Sequence, residues 1–377
     1  MKTYALLALL VGVVALSGCI GQSTTVTGGK GLAISSFGPD FNDIRSGEPV
    51  YLSAMVTNVG EYDATGISAQ LFGINIGGDE WSLASGAQTQ TFSTLRRSDS
   101  TMNLPGESQE FVWNLNSPAE MLVDNTYTAN VRLYYKYGTQ TTALLKFITY
   151  DYLKSLPTSD VSNVQSTAGV SHTSSSAAPI AVSLNVGSRP LVVYKDGDQF
   201  MVEIILNNAD IGNPFAVGAT YPPAGALQQA DLYKVNVAVT SDLDLNCANS
   251  LGGGATSGVV TLTKGATKAI FCTATIASKN NLGNMRDYAV TVTTTYGYYV
   301  DSSTDISVMR SEASLTGGSG GTGATTTTAA SATTTTVAGG ARCVSGSVCT
   351  ASDLSTCPPL GPADNSRSCV NGQCCYY

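Results

Sequence analysis

The chain has 377 residues, 12% of them charged and 43% hydrophobic, and a formal net charge of -8 at neutral pH. That length accommodates two domains with cores of their own. The acidic balance and the lack of any Lys/Arg-rich run exclude a general nucleic-acid footprint and an electrostatic hold on anionic lipid, since both need a basic surface.

The chain starts MKTYALLALLVGVVALSGC. Lys2 supplies a short positive region, and Tyr4 to Leu16 is an almost unbroken apolar run. A membrane span needs about 20 residues to cross roughly 30 Å, so this run is short for one. It has the length of the apolar core of a secretory signal, followed by small residues. Leu16-Ser17-Gly18-Cys19 then resembles the lipobox of prokaryotic lipoproteins. The resemblance implies a signal peptide over 1–18, a diacylglycerol on the Cys19 thiol, and a lipid-anchored tether over 19–30. Two acyl chains anchor firmly where one does not, at about 0.8 kcal/mol per buried CH₂.

Strand signals fill residues 31–154. Val50–Val56 alternates as a half-buried strand does, and Gly66–Phe72 follows after Asn58 and Gly60. Phe111–Leu115 is apolar at alternate places. Tyr127–Tyr135 puts Tyr127, Ala129, Val131, Leu133 and Tyr135 on one face, and Leu144–Tyr150 follows a Tyr-Gly turn. Trp81 and Trp113 are expected in the core.

Residues 155–179 are rich in Ser and small residues and read as a linker. The body over 180–314 repeats the strand habit at Phe200–Leu206, Leu232–Val239, Val259–Leu262, Ala269–Ile276, Tyr288–Tyr296 and Asp305–Val308. Ala224–Leu232 reads as a turn or short helix. The two bodies look like copies. GEPVYLSAMVTN at 47–58 aligns with GDQFMVEIILNN at 197–208, an offset of 150. YTANVRLYYKY at 127–137 aligns with YAVTVTTTYGY at 288–298, an offset of 161, so the second copy has longer loops.

Val56-Thr57-Asn58-Val59-Gly60, followed by the strand from Ile67 to Phe72, resembles the Ig-like modules of archaeal and bacterial envelope proteins, of the CARDB and S-layer-associated kind. The second body departs from the pattern, because Asn207-Asn208-Ala209-Asp210 lacks the glycine turn. The resemblance implies an adhesive, spacer or assembly role and no chemistry. The fold class expected is all-β, with two tandem Ig-like β-sandwiches.

A Gly/Thr-rich stretch over 315–342 reads as a stalk, either bare or O-glycosylated at Thr325–Thr328 and Thr333–Thr336. Residues 343–377 hold six cysteines, Cys343, Cys349, Cys357, Cys369, Cys374 and Cys375, with few large apolar residues. So short a piece needs staples in place of a core. Disulfides serve best in an exported chain. Six cysteines allow fifteen pairings, and the sequence leaves them open, except that adjacent Cys374 and Cys375 take different partners. Cys247 and Cys272 lie far from these six and are expected to pair with each other. The compact C-x2-C pairs of many zinc sites are missing here.

Chemistry is sparse. The one histidine, His172, falls in the expected linker, so no Ser-His or multi-His arrangement is open. The glycine-rich runs lack the Lys-Ser/Thr of a phosphate loop. Asp40, Asn42 and Asp43, or Asp242 and Asp244, offer oxygens to Ca²⁺ but lack the spacing of a calcium loop, and Asp favours turns. Catalytic, metal and cofactor residues are therefore expected to be none. Tyrosine is the exception, with eighteen in the chain. Tyr134, Tyr135, Tyr137, Tyr296, Tyr298, Tyr299, Tyr376 and Tyr377 are candidates for a contact face, because alternate strand residues point to opposite sides and tyrosine suits interfaces. Cross-strand packing within a sheet is the other use of these rings.

These features together describe a non-enzymatic lipoprotein of the cell envelope, facing the extracytoplasmic side. Its partners would be the membrane through its lipid, and envelope proteins, identical copies or glycans. A carbohydrate- or peptide-binding module is the alternative, and an envelope-polymer hydrolase comes third.

Overall fold

The computed structural model describes residues 31–77, 80–99, 101–187, 190–262 and 267–311, with the strand segments 342–343, 367–370 and 373–376. Residues up to 318 form one unit and those from 319 a second. The signal, the lipobox with Cys19, most of the Thr-rich stretch, Cys349, Cys357 and Tyr377 lie outside the described residues.

In the first unit the chain runs through β1 (Leu32–Pro39), β2 (Asp43–Arg45), β3 (Pro49–Asn58), β4 (Ala64–Phe72), β5 (Ser82–Ser85), β6 (Thr89–Leu95), β7 (Ser108–Asn116) and β8 (Asn125–Thr149). Two short helices, Tyr150–Ser155 and Thr158–Ser166, come next. The chain continues with β9 (Gly169–Ser175), β10 (Ile180–Asn185), β11 (Val192–Val193), β12 (Asp198–Asn208), β13 (Asn213–Phe215), β14 (Lys234–Ser241), β15 (Asp244–Asn246), β16 (Ser257–Thr261), β17 (Thr267–Ile276) and β18 (Met285–Met309). Between Ala224 and Leu232 there is a 3-10 turn at Gln229–Asp231.

The strands form three sheets. Two are four-stranded and share one topology, β1-β3-β7-β5 and β10-β12-β17-β15. The third is continuous, β16-β14-β18-β8-β4-β6, with β2, β9, β11 and β13 added at its sides. The architecture is almost all-β and is consistent with layered sandwiches. The strands form because apolar side chains recur at every second position. On β3, Val50, Leu52, Ala54 and Val56 are buried while Tyr51 is exposed. Trp81 and Trp113 are buried as expected.

The structure departs from two separate domains. β8 and β18 are 25-residue strands, paired antiparallel over almost their whole length. The register is symmetric about the pair Lys136–Gly297, which sets Tyr135 opposite Tyr298 and Tyr137 opposite Tyr296. The first part of β8 pairs with β4, while its last residues, Ile148 and Thr149, pair in parallel with β11. Conversely, β18 pairs first with β14, and its last residues, Ser307 to Met309, pair in parallel with β2. Each half is therefore completed by the far end of the other half's long strand. One hydrophobic core accordingly runs through both halves.

Two expectations fail along β8. Tyr137-Gly138 has the composition of a turn, but Gly138 lies inside β8. Its glycine is needed for close approach, since a Cβ there would meet the Tyr62 ring at 2.8 Å and Thr294 O at 3.0 Å. Likewise a Cβ at Gly297, inside β18, would overlap the Phe215 ring. The expected linker over 155–179 is also corrected. The second half of β8 has a free edge, and β9 covers it, with Thr141 Oγ1 and Ser175 Oγ hydrogen-bonded at 2.8 Å. The two helices rest Leu153, Leu156 and Val164 against Ile148 and Val192. Small hydroxyl residues suit a loop by composition, but here they complete a sheet edge.

Cys247 and Cys272 are joined by a disulfide between the segment after β15 and β17, both fully buried. In the chain-entropy picture this closure contributes about 3 kcal/mol. The second unit contains β19 (Arg342–Cys343), β20 (Arg367–Val370) and β21 (Gln373–Tyr376), an antiparallel sheet in the order β19-β21-β20.

Candidate functional site

Six of the eight tyrosines expected at a contact face lie inside the first unit. Tyr134, Tyr135, Tyr137, Tyr296 and Tyr298 are buried, and Tyr299 is half-buried. The register explains this. Odd positions of β8 and even positions of β18 face the same core, so Tyr135, Tyr137, Tyr296 and Tyr298 converge where the two strands cross the symmetric pair. Their rings pack edge-on or tilted, with centroids 5.7 Å apart for Tyr135–Tyr137 and 5.8 Å for Tyr135–Tyr298.

The hydroxyls are satisfied in two matching sets. Tyr137 donates to Asn58 Oδ1 at 3.0 Å, and Asn58 Nδ2 donates to the carbonyl of Tyr62 at 2.8 Å. Tyr298 donates to Asn208 Oδ1 at 2.8 Å, and Asn208 Nδ2 donates to the carbonyl of Gly212 at 2.9 Å. Tyr135 accepts from Leu32 N, and Tyr296 accepts from Ile180 N, each the first residue of the equivalent strand. The same correspondence holds for the backbone, since Val59 N donates to Gly31 O and Ala209 N to Pro179 O. The halves thus repeat one another down to buried polar contacts. Burial pushes all four phenols well above their ordinary range, so they stay protonated, and Tyr137 and Tyr298 act as donors.

Of the other two tyrosines, Tyr134 is covered by a segment that has no counterpart in the first half. Residues 216–233 lengthen the second half by more than the rise in offset along the repeat, so segments after β14 are shorter there than in the first half. Tyr221 of that segment stacks on Tyr134 at 5.6 Å and donates to Gly66 O at 2.6 Å. Tyr299 lies under the Arg132 guanidinium, 4.6 Å from its ring centroid, and Arg132 forms two hydrogen bonds to Asp301. These rings hold the halves together. For Tyr376 only the strand position, in β21, is described.

Other candidates are similarly placed in structural roles. His172 is exposed on β9, opposite Leu144. Asp40 Oδ1 accepts from Phe41 N and Tyr51 N, which makes it a turn residue. Asp244 lies in β15. Among the described residues, no three His, Cys, Asp or Glu side chains gather as a metal site would require, and no helix is long and apolar enough to cross a membrane.

One surface feature was not anticipated. A groove of about 710 Å³ runs beside β12, with Leu191, Tyr194, Phe200, Met201 and Phe271 among its walls. Met201 and Phe271 belong to the outward face of the β10-β12-β17-β15 sheet and are 62% and 49% exposed. The same face contains the polar Glu203, Thr273 and Thr275 and the apolar Ile205 and Ala269. The signal in the sequence was the outward phase of β12 and β17, which carries large apolar residues.

The sequence matches no family model and no curated protein. Among solved structures, it aligns with the crystal structure of the CupB6 tip adhesin from Pseudomonas aeruginosa over 71% of this chain and 92% of that one. The identity is 11% and the TM-score 0.14, and a superposition that loose transfers neither fold nor function.

Proposed function

We propose that this chain is a non-enzymatic lipoprotein of a prokaryotic, archaeal-type envelope, whose β-rich body is a stiff spacer built from two Ig-like sandwiches. Lipid on Cys19 holds it at the membrane, and the Cys-rich C-terminal segment is what it presents to envelope proteins or to identical copies. The observation that carries the spacer role is the pairing of two 25-residue strands through both halves. An ordinary tandem pair hinges at its linker. Here a hinge would have to break the central ladder and the buried Tyr135–Tyr298 ring contact together. The Tyr137, Tyr298, Asn58 and Asn208 side chains at the centre are consumed by structural hydrogen bonds, which favours contact over catalysis.

Two measurements on intact producing cells test this. Fractionation should find the protein with membranes and find the Cys19→Ser variant released or retained as precursor. Crosslinking mass spectrometry should find reproducible contacts through residues 343–377 to one envelope protein or to another copy. A protein free of membrane in both forms, or crosslinks to no protein, would overturn the proposal.

A second reading has its own observation, the groove with exposed Met201, Tyr194 and Phe271. An aromatic-lined groove of this size suits a carbohydrate or an extended peptide. Ligand-induced NMR shifts confined to that groove, and abolished by Met201→Ala with Phe271→Ala, would favour it over the spacer role.

A further inference from the structure

In the second unit β21 is the central strand, with β19 on one side and β20 on the other. The register sets Cys343 directly opposite Cys375, and Cys369 directly opposite Cys374. Residues directly opposed in an antiparallel pair have Cα atoms about 4.5–5.5 Å apart. A disulfide requires about 4.4–6.8 Å, so both pairs lie within reach with no movement of the backbone. Consecutive positions on a strand belong to opposite faces. Cys374 and Cys375 therefore belong to opposite faces, and each has one cross-strand cysteine at its own level. Exchanging the partners would join Cys343 to Cys374 and Cys369 to Cys375, each across a one-residue offset and between faces.

We propose that the C-terminal sheet is closed by Cys343–Cys375 on one face and Cys369–Cys374 on the other. The residues between β20 and β21 are Asn371 and Gly372, the dipeptide favoured in two-residue hairpins, and this supports the pairing of Val370 with Gln373 that fixes the register. The central strand is then clamped to both neighbours within its four residues. Each bridge forms when two thiols lose two protons and two electrons to a disulfide-bearing oxidant, which leaves as its dithiol. The assignment goes beyond the envelope role and depends on neither the lipid anchor nor a partner.

The full chain is alkylated at low pH without reductant, digested and mapped by mass spectrometry. In the Cys375→Ser variant the thiol set free should be that of Cys343, and in Cys374→Ser that of Cys369. Labelling of Cys369 in the first variant or of Cys343 in the second would overturn the pairing. So would six alkylated cysteines with bound zinc in the unsubstituted chain. If a variant fails to fold, stepwise phosphine reduction of the unsubstituted chain, with cyanylation and cleavage at each freed cysteine, reads the same map. Cys343 and Cys375 should then be released as one pair and Cys369 and Cys374 as another, and release in any other combination refutes the assignment.

Discussion

Tyr298 donates its buried hydroxyl to Asn208 Oδ1 at 2.8 Å, across 90 residues of chain. The contact ties β18 to the end of β12, as Tyr137 ties β8 to the end of β3. The two copies differ at the acceptor oxygen. Asn58 Oδ1 also accepts from Gly60 N, whereas Tyr298 is the donor described for Asn208 Oδ1.

That difference sets the order of two substitutions. Removing the donor from a buried acceptor costs about 1–3 kcal/mol. Tyr298→Phe should reach this range, and Tyr137→Phe should cost less because Gly60 N still serves the acceptor. Urea unfolding of both variants measures the order, and equal losses would contradict it.

The exchanged strand ends predict mutual dependence of the halves. A fragment covering 31–154 lacks the strand that Ser307–Met309 extends, and a fragment from 155 to 311 lacks the end of β8. Each alone should give poorly dispersed amide NMR spectra, and mixing them should restore one dispersed spectrum. Two well-dispersed spectra from the separate fragments would show that the halves fold independently.

Close approach, and not backbone conformation, makes Gly297 necessary. Overpacking costs about 1–3 kcal/mol or more. Gly297→Ala should destabilise by at least that much, because its Cβ would overlap the Phe215 ring. Gly218→Ala is the control, since nothing lies within 4 Å of the added methyl. Thermal melts of the two variants separate packing from a general effect of alanine.

Alkaline pH should unfold the protein through its phenols. Burial raises the folded pKa of Tyr135, Tyr137, Tyr296 and Tyr298 above the ordinary value of 10.0. The unfolded state then releases protons first, so it binds fewer than the native state above pH 10. Stability is fully present below that pH and falls as pH rises further. Absorbance at the tyrosinate band should show these rings titrating together with the loss of near-ultraviolet dichroism. Gradual titration of all tyrosines in a folded protein would refute the buried assignment.

Removing the Cys247–Cys272 bridge tests the weight of the second half's core. The double variant Cys247→Ser with Cys272→Ser should lose about 3 kcal/mol in denaturant titration. Because one core runs through both halves, the loss should appear as a single transition at lower denaturant, not as separate melting of one half.

Much of the first unit is readable from side-chain period alone. Val50, Leu52, Ala54 and Val56 announce β3, and Val202, Ile204 and Leu206 announce β12 at an offset of 150. The correspondence of Asn58 with Asn208 is visible in the same way. What hides from such reading is the partner of each strand. Period marks Tyr127–Tyr135 as a strand, but a glycine after Tyr137 signals a turn as readily as a close contact. Only the neighbouring Tyr62 ring decides between them. The tyrosines were misplaced for a related reason. One long strand serving two cores buries one face along its full length, and a covering segment at 216–233 hides Tyr134 on the other. The Ser-rich stretch at 169–175 has the composition of a loop and became β9 because an edge of β8 needed a partner.

The symmetric ladder also limits how such a protein can grow. In a linear array of modules, reach is tuned by adding copies, because each module leaves its neighbour intact. Here the long strand of each half already ends in the other, so the pair is closed and a third module would find no strand end to receive it. Neither module can be deleted or reshuffled alone without opening its sibling. Extension has to come from segments outside the pair, and divergence is free where the two-fold correspondence already lapses, as at 216–233.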